Sequence, residues 1–250
     1  MTPPVDAPEG HRLPSPASDA NVAVVGGTSG IGAAVAERLA TSGARVHVAG
    51  LGADAARDTV ADVASVTELD VRSGTDLEEW LAGTGDLDVL VNAAGVIRRG
   101  AEFEPAVFAD VLEVNLTAAM RACVAARAGL ARRRGCVVNL ASMLTFFGGP
   151  LVPGYTASKG GIAALTRSLA VAWAADGVRV NAVAPGWIRT ELTSALRNDP
   201  AAERRILDRT PMGRWGEAAE VAAVVAFLAG PDAAFVTGAV IPVDGGYLVA

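Results

Sequence analysis

The segment Asn21-Val-Ala-Val-Val-Gly-Gly-Thr-Ser-Gly-Ile-Gly32 is followed directly by Ala33-Ala-Val-Ala-Glu-Arg-Leu-Ala40. Its apolar first part is typical of a buried strand, its glycines of a tight turn, and its last part of a helix. Glycines let the backbone turn sharply and approach a pyrophosphate, while N–H groups at the start of a helix face the phosphates. The order strand, glycine turn, helix therefore predicts the first unit of a dinucleotide site.

The alternation of strand and helix patterns continues along the chain. Further apolar runs predict strands at 45–50, 66–71, 87–91, 136–141, 178–183 and 239–243, and helical patterns lie between them at 53–64, 75–82, 105–133, 155–175 and 217–229. Strands that alternate with helices form parallel sheets, and ligands bind at the carboxyl ends of the strands. We therefore expect an α/β fold, a single Rossmann-type doubly wound domain with a seven-stranded parallel sheet and helices on both faces. Between the last two strands, a loop is predicted from residue 185 to residue 216, before the helical pattern at 217–229.

The length and composition favour one domain. A chain of 250 residues with 51% hydrophobic content can bury one large core. Residues 1–20 contain five of the 13 prolines and little periodic apolar pattern. Such a segment cannot bury enough surface to offset the entropy of ordering. We predict a disordered N-terminal tail at 1–20 and a dinucleotide-binding catalytic domain at 21–250.

Charge and cysteine content exclude several classes of protein. The net charge of −6 disfavours a nucleic-acid or anionic-membrane surface, because phosphate binding needs a concentrated basic face. No apolar run reaches membrane-spanning length without charge or glycine. The two cysteines, Cys123 and Cys136, have neither a disulfide framework nor metal-ligand spacing. We expect a reduced, cytoplasmic protein with a small-molecule substrate, no metal, no nucleic-acid partner and no membrane segment.

Tyr155 and Lys159 are four residues apart in a helical pattern, and Lys159 is the only lysine among 21 basic residues. At this spacing the two side chains share one helix face. A compact ammonium can approach a phenol and a ribose together, whereas a guanidinium presents its donors in a fixed fork. Ser142 ends a strand pattern and can bring a hydroxyl beside the phenol. The three residues predict a proton-transfer site; the alternative is a core tyrosine followed by a surface charge.

Two further polar residues have two interpretations each. Asn115 interrupts an apolar helical pattern, either for a buried structural hydrogen bond or to direct a polar group toward an active site. Asp70, at the end of the third predicted strand, either meets an adenine edge or caps the helix that follows. The second strand ends in Gly50-Leu-Gly52, which offers neither an acidic group for a ribose nor a basic group for a 2′-phosphate.

Several motifs occur together in order and at compatible spacing: Gly26-x-x-x-Gly30-x-Gly32, Asn92-Ala-Ala-Gly95, Asn115, Ser142, Tyr155-x-x-x-Lys159 and Pro185-Gly186. Through them the chain resembles the short-chain dehydrogenase/reductase family over residues 21–250. Two positions depart from the family pattern. Val25 stands where Thr or Ser is usual, and Ala93 stands where a second Asn is usual. Both changes weaken hydrogen bonds that brace the cofactor loops, but neither removes a reacting group.

The resemblance implies an NAD(P)-dependent oxidoreductase that interconverts a secondary alcohol and a ketone. It implies that Tyr155 is the general acid/base and that Ser142 hydrogen-bonds the substrate oxygen. Lys159 is expected to hold the nicotinamide ribose and to lower the pKa of Tyr155 from its usual value of about 10. Asn115 is expected to order a water that links Lys159 to solvent.

The resemblance also implies a set of cofactor-binding positions. They are Gly26, Ser29, Gly30, Ile31, Gly32, Leu51, Asp70, Val71, Asn92, Ala93, Gly95, Tyr155, Lys159, Pro185, Gly186, Ile188 and Thr190. Because no basic residue stands at Ser29 or Leu51, where the family would place a 2′-phosphate clamp, we favour NAD as the cofactor, with NADP as the alternative.

Within the family, the segments 95–99, 141–149, 152–155 and 206–216 resemble those of 2-deoxy-D-gluconate 3-dehydrogenases and gluconate 5-dehydrogenases. The resemblance implies a sugar-acid substrate. A guanidinium binds a carboxylate bidentately, so arginines near the site are candidates to hold that acid. The candidate substrate residues are Arg98, Arg99, Met143, Trp187 and Arg214, and Arg189 is a further arginine to consider.

Three alternatives remain open. Each of these arginines can instead belong to a surface ion pair. Phe146, Phe147 and Trp187 can form an apolar pocket, which suits a ketone reductase acting on a 3-oxoacyl thioester or a secondary metabolite. The third alternative is a dinucleotide-binding sensor without turnover.

The helical patterns 105–133 and 155–175 are rich in Ala, Val and Leu, which predicts self-association. The resemblance suggests a homotetramer.

Overall fold

The structure, a computed structural model, describes residues 19–57, 60 and 62–250. Within these residues, seven strands form one sheet: β1 Asn21–Val25, β2 Arg45–Gly50, β3 Ser65–Glu68, β4 Val89–Asn92, β5 Cys136–Leu140, β6 Arg179–Pro185 and β7 Val240–Val243. The strand order is β3-β2-β1-β4-β5-β6-β7, and every neighbouring pair is parallel. The predicted disordered tail falls almost wholly outside the described residues.

Helices connect the strands. They are α1 Gly30–Thr41, α2 Ala53–Arg57, α3 Gly74–Gly83, α4 Pro105–Leu112, α5 Ala118–Arg133, α6 Pro153–Trp173, α7 Ser194–Arg197, α8 Pro200–Arg209 and α9 Ala218–Ala229. The predicted helix 53–64 includes three positions outside the described residues. The predicted fold class, a seven-stranded parallel sheet with helices on both faces, is confirmed.

The central strands are buried on both faces, which is why they read as continuous apolar runs rather than as alternating patterns. In β1, Val22 and Val24 pack into a core with α1 and α9. Ala23 and Val25, which point the other way, pack into a second core with α3, α5 and α6. The period of two along a strand thus divides the apolar side chains between two helix layers.

The prediction of a loop from residue 185 to residue 216 is wrong in part, because this region contains α7 and α8. A local cap explains α8: the Asp199 carboxylate accepts the N–H groups of Ala201 and Ala202 at 2.9 and 3.2 Å. Pro200 occupies the first helical position, where its missing N–H costs nothing. The third strand also ends earlier than predicted, at Glu68, so Asp70 lies in the loop that follows.

The long helix predicted at 105–133 is interrupted. A π-helical turn at Glu113–Thr117 separates α4 from α5 and contains Asn115. Such turns insert an extra residue into a helix and are frequent at functional sites. The interruption agrees with the cost that asparagine imposes on an apolar helix.

The part of the chain that the structure describes has no helix with both the length and the apolar character needed to cross a bilayer. Over the same residues, His, Cys, Asp and Glu side chains do not gather into a group of three or more that could hold a metal ion. Cys123 and Cys136 are both buried free thiols.

Candidate active site

A groove of about 530 Å³ opens where β1, β4, β5 and β6 end. In a doubly wound sheet this is the point where the strand order reverses, and ligands bind there. Most of the residues predicted for cofactor, catalysis and substrate line it. They are Gly26, Ser29, Gly30, Ile31, Gly32, Leu51, Asp70, Val71, Ala93, Gly95, Arg98, Arg99, Ser142, Met143, Tyr155, Lys159, Pro185, Gly186, Trp187, Ile188 and Thr190. Asn92, Asn115 and Arg214 do not line it.

Some glycines that line the groove stand where the surrounding backbone leaves no room for a side chain. Gly26 has φ +78°, and a Cβ there would lie 2.3 Å from the backbone N of Ala94. A Cβ at Gly32 would lie 2.1 Å from the carbonyl oxygen of Gly26. The Ser29 side chain does not cap α1, so the N–H groups of its first turn are available to an anion. This cradle fits the pyrophosphate of a dinucleotide.

We predict that Gly32→Ala weakens dinucleotide binding at least about tenfold and lowers stability, because backbone atoms surround the missing Cβ. The Gly83→Ala variant is the matched control, since a Cβ at this exposed glycine meets nothing within 4 Å. Calorimetric titration with NAD⁺ and NADP⁺, together with thermal unfolding, measures both effects. Equal affinity in the wild type and Gly32→Ala would contradict this account of the turn.

Leu51, Asp70 and Val71 line the groove with Arg72, which the sequence analysis missed, and the Leu51 carbonyl oxygen accepts the Thr28 hydroxyl of the glycine turn at 2.8 Å. The Arg72 Nε donates to the Asp70 carboxylate at 3.0 Å, and its Nη1 donates to Asp110 at 3.2 Å. The Arg72 guanidinium lowers the pKa of Asp70 below its usual value through these hydrogen bonds. The Asp70 side chain does not cap α3, because it accepts the backbone N–H of Arg72 instead.

Tyr155 and Lys159 lie one turn apart on α6 and share the groove face. The Lys159 Nζ lies 5.5 Å from the centroid of the Tyr155 ring. It donates to the carbonyl oxygen of Leu140, the last residue of β5, at 2.6 Å. Burial lowers the pKa of Lys159 to about 8. The ammonium is therefore largely charged at neutral pH and close to losing its proton above it.

Ser142 follows β5 directly and is buried. Its hydroxyl accepts the N–H of Leu144 at 3.2 Å, which starts a short 3₁₀ turn at Met143–Thr145. It is also hydrogen-bonded to the Tyr155 side chain. Strand β5 and helix α6 thus bring a hydroxyl and a phenol together beside the groove, as predicted from the two patterns.

The prediction that the pKa of Tyr155 lies below its usual value is wrong for the polypeptide alone. The pKa of Tyr155 is raised, first because burial disfavours the phenolate; the hydrogen bond from Ser142 acts in the opposite direction, and the negative charge of Glu102 adds to the rise. Spacing along the chain reveals the cation four residues away from Tyr155. It reveals neither the desolvation of the phenol nor a carboxylate that is distant in sequence.

Asn115 lies behind the groove, and its side-chain nitrogen and oxygen are both hydrogen-bonded. Its Nδ2 donates to the Val96 carbonyl at 3.0 Å and to the Ser158 hydroxyl at 3.1 Å, and its Oδ1 accepts the Val96 N–H at 2.8 Å. A Cβ at Gly95 would lie 3.6 Å from this Oδ1 and 3.7 Å from the Lys159 Nζ. Asn115 therefore holds the segment after β4 against α6, close to the lysine.

Asn92 is also buried behind the groove, at the end of β4. Its Nδ2 donates to the Asn139 Oδ1 at 2.9 Å, and Asn139 donates in turn to the Thr166 hydroxyl at 2.9 Å. This chain of hydrogen bonds ties two strand ends to α6, so Asn92 acts on the groove through the strands rather than from its surface.

The arginines predicted for the substrate separate into two groups. Arg98 and Arg99 are exposed and line the groove. Arg214 lies outside it, in an ion pair with Glu220 at 2.6 Å, and Arg189 pairs with Glu217 at 3.0 Å. The structure thus corrects the prediction for Arg214, whose guanidinium is held by a carboxylate on α9.

Met143 and Trp187 form an apolar part of the groove wall. The Trp187 ring packs edge-on against Trp215 and Tyr247, with ring centroids 6.0 and 6.2 Å apart. Phe147 stacks on Tyr247, at 6.0 Å, and does not line the groove. The envisaged apolar pocket therefore lacks Phe146 and Phe147, and Leu144, Val152 and Leu192 add to its apolar wall instead.

Residues 25–248 match the protein-family model described as enoyl-(acyl carrier protein) reductase. The galactitol 2-dehydrogenase (L-tagatose-forming) of Cereibacter sphaeroides is 42% identical over 240 residues, covering 91% of this chain and 94% of that protein. The 2-dehydro-3-deoxy-D-gluconate 5-dehydrogenase of Bacillus subtilis is 44% identical over 165 residues, covering 65% of each chain.

A solved structure shows the same similarity in three dimensions. It is that of a candidate 2-deoxy-D-gluconate 3-dehydrogenase from Agrobacterium tumefaciens with bound NADP, which is 41% identical. The match covers 93% of this chain and 97% of that chain, with a TM-score of 0.83. The family match, these relatives and the glycine-lined groove beside Tyr155 and Lys159 agree. The chain therefore belongs to the short-chain dehydrogenase/reductase family of NAD(P)-dependent oxidoreductases that act on alcohol groups.

Proposed function

We propose that this oxidoreductase interconverts a secondary alcohol and a ketone of a sugar acid. The observation that carries the substrate class is the position of Arg98 and Arg99, which line the same groove as Tyr155. No carboxylate of the described residues lies within ion-pair distance of either guanidinium. Unpaired guanidinium groups beside a reacting centre suit a substrate that carries its own carboxylate. Relatives named for sugar-acid and polyol oxidation support the proposal.

In this proposal Tyr155 donates a proton to the substrate oxygen during reduction and accepts it during oxidation. Ser142 hydrogen-bonds that oxygen, and Lys159 binds the cofactor ribose while its positive charge favours the phenolate. Asn115 keeps its predicted role in a water relay to Lys159. A nicotinamide cofactor, when bound, supplies or accepts the hydride. The groove-lining residues from Gly26 to Thr190 predicted from the sequence would hold it.

For the cofactor we propose NAD as the preferred form. Two observations support this choice. Ser29 and Leu51 carry no positive charge, and Arg72, which lines the same groove, is already paired with Asp70 and Asp110. A 2′-phosphate would have to compete with these carboxylates. Because the Agrobacterium relative carries NADP, every assay should be run with both cofactors.

Oxidation assays with 2-deoxy-D-gluconate, D-gluconate and galactitol, and reduction assays with 2-dehydro-3-deoxy-D-gluconate and an acetoacetyl thioester, test the proposed function. We expect the highest kcat/KM with one of the sugar acids and with NAD⁺ or NADH. A preference for galactitol would show that the substrate class is a polyol rather than a sugar acid. A preference for the thioester would support the ketone-reductase alternative. Cofactor binding without turnover on any of them would favour the sensor. A large preference for NADPH would overturn the cofactor choice.

We predict that replacing Arg98 and Arg99 together by glutamine raises KM for the sugar acid by about 10- to 100-fold, since a charged hydrogen bond contributes about 1.5–3 kcal/mol. Turnover of a polyol without a carboxylate should change little. The matched control is Arg214→Gln, which removes a guanidinium outside the groove. Equal KM values in the double variant and the wild type would show that the carboxylate is bound elsewhere.

We also propose that the protein is a cytoplasmic homotetramer with one catalytic domain over residues 21–250. Two buried free thiols support a reducing compartment. Apolar side chains left exposed on the long helices support self-association, namely Val124 on α5 and Val171 on α6, which are 55% and 83% exposed.

Multi-angle light scattering of the wild type should give four times the mass of one chain. Val124→Asp and Val171→Asp should lower the oligomeric state, because a buried unpaired carboxylate at an interface is costly. Phe235→Asp, at another exposed apolar residue that belongs to neither helix, is the comparison variant. A wild type that elutes with the mass of one chain would contradict the tetramer.

A further inference from the structure

Glu102 is a carboxylate in an unusual position. It lies in a short 3₁₀ turn at Ala101–Phe103, just before α4, and its side chain is only 1% exposed. Buried carboxylates are rare unless a cation or several donors satisfy them. Within the described residues, Glu102 has no ion-pair partner. It accepts two backbone N–H groups instead.

The two N–H donors belong to different segments, both of which line the groove. The Glu102 Oε1 accepts the N–H of Arg98 at 2.8 Å, and its Oε2 accepts the N–H of Tyr155 at 2.8 Å. Arg98 belongs to the segment that follows β4, whereas Tyr155 lies in the first turn of α6. One carboxylate therefore joins the arginine segment to the start of the helix that carries the phenol.

The surroundings leave this carboxylate little freedom. A Cβ at Gly154 would lie 3.3 Å from the Glu102 Oε2 and 3.3 Å from the ring of Phe108. The residue before α6, Val152, has no side chain that could cap the helix, so Glu102 satisfies a first-turn N–H that would otherwise lack a partner. A negative charge at a helix N-terminus is also electrostatically favourable.

We propose that Glu102 is a positioning residue that holds Arg98 and Tyr155 in fixed register beside the groove through its two backbone hydrogen bonds. The part that concerns substrate affinity rests on the proposed function, since it assumes that Arg98 binds the substrate carboxylate. The part that concerns Tyr155 does not. The geometry assigns Glu102 both a mechanical effect, through the two amides, and an electrostatic effect, through its charge.

Three charged or polar groups surround Tyr155. The Lys159 Nζ lies 5.5 Å from its ring centroid, Ser142 is hydrogen-bonded to its side chain, and the Glu102 carboxylate accepts its backbone N–H at 2.8 Å. The negative charge of Glu102 disfavours the phenolate and therefore raises the pKa of Tyr155. Removing that charge should lower the pKa, whereas a residue with a purely structural role would leave it unchanged.

The chain has only two tyrosines, which allows a direct measurement. Protein labelled with ¹³C at tyrosine Cζ gives two NMR signals, and Tyr155→Phe identifies that of Tyr155. We expect Glu102→Gln to lower the titration midpoint of Tyr155, and the Tyr247 signal serves as the internal reference. The matched control is Glu104→Gln, the same substitution at an exposed residue of the same segment. The same Tyr155 midpoint in Glu102→Gln and the wild type would overturn the electrostatic effect.

Kinetics separate the mechanical effect from the charge. In Glu102→Gln, the amide oxygen can serve only one of the two N–H groups; Glu102→Asp keeps the charge but is one methylene too short to reach both. We expect both variants to raise KM for the sugar acid roughly tenfold. Only the Gln variant, which loses the negative charge, should lower the titration midpoint of Tyr155. Unchanged KM values in both variants, with a sugar acid that the wild type turns over, would overturn the mechanical effect.

Two measurements do not depend on the activity of the variants: amide hydrogen exchange of the wild type and the NMR titration. If neither variant folds, amide hydrogen exchange of the wild type decides: we expect equally slow exchange at Arg98 and Tyr155, and fast exchange at either residue would contradict the proposal. The NMR titration needs no substrate. Failure of every sugar acid in the assays would therefore overturn the proposed function while leaving the Glu102–Tyr155 result in place.

Discussion

Tyr155→Phe should lose turnover by roughly 10²- to 10⁴-fold, the range that a positioned general acid or base contributes. The substitution removes one oxygen and leaves the ring that packs beside the Lys159 ammonium, 5.5 Å from its centroid. Cofactor affinity should therefore stay within a few-fold of the wild-type value. Steady-state rates together with fluorescence titration of the cofactor measure the two effects separately.

The second tyrosine provides the control for this experiment. Tyr247 stacks on Phe147 and lies under the Arg209 guanidinium, which is 4.3 Å from its ring centroid. Tyr247→Phe retains these ring contacts and should keep turnover within a few-fold. If Tyr155→Phe retained turnover comparable to that of Tyr247→Phe, the phenol at position 155 would have no part in proton transfer.

Lys159→Met should lose turnover by about 10²- to 10³-fold, the range seen when one preorganised electrostatic group is removed from a site. In contrast to Tyr155→Phe, it should also weaken cofactor binding, since we propose that the ammonium holds the ribose. The same titrations used for Tyr155→Phe distinguish the two variants. Wild-type cofactor affinity in Lys159→Met would remove the ribose contact from the proposal.

The lysine also predicts a pH dependence of stability. Burial lowers the pKa of Lys159 from 10.5 to about 8 in the folded state. Between these two values the unfolded chain binds more protons than the folded one, so the free energy of unfolding rises with pH. Charged Lys159 therefore destabilises the fold by up to about 3 kcal/mol below pH 8, and this penalty is gone above pH 10.5.

Urea unfolding of the wild type and Lys159→Met between pH 7 and pH 10.5 measures this dependence. The wild type should gain stability relative to the variant as pH rises. Because Lys159 is the only lysine, no other lysine titrates in this window, and making both measurements in the Tyr155→Phe background removes the phenol beside the ammonium. A difference that stays constant with pH would show that Lys159 keeps its usual pKa in the fold.

Local patterns were sufficient for the backbone of the site. The apolar runs of β1 and β2, the glycine turn between Gly26 and Gly32, and the spacing of Tyr155 and Lys159 predicted the parallel sheet, the cradle and the shared helix face. These features depend on dihedral preferences and side-chain periodicity over a few residues, and both can be read from neighbouring letters.

Local patterns also misled where a residue's partner is distant. Arg98 and Arg214 look equivalent in the sequence, but Glu220 on α9 pairs with Arg214 and leaves Arg98 in the groove. Apolar periodicity alone does not predict α8. Its N-cap, Asp199-Pro200, is a local signal that does.

The sequence alone therefore determined the fold and the family, and it predicted the proton-transfer residues, because each rests on spacing along the chain. Only the tertiary structure decided which charges meet the phenol. Glu102 and Tyr155 are 53 positions apart in the chain, but a carboxylate oxygen of one accepts the backbone N–H of the other at 2.8 Å. Burial of the phenol, and with it the direction of its pKa shift, likewise arises from packing between β5, α6 and the turn before α4. Desolvation and Coulomb interactions depend on distances in space, which spacing along the chain does not provide.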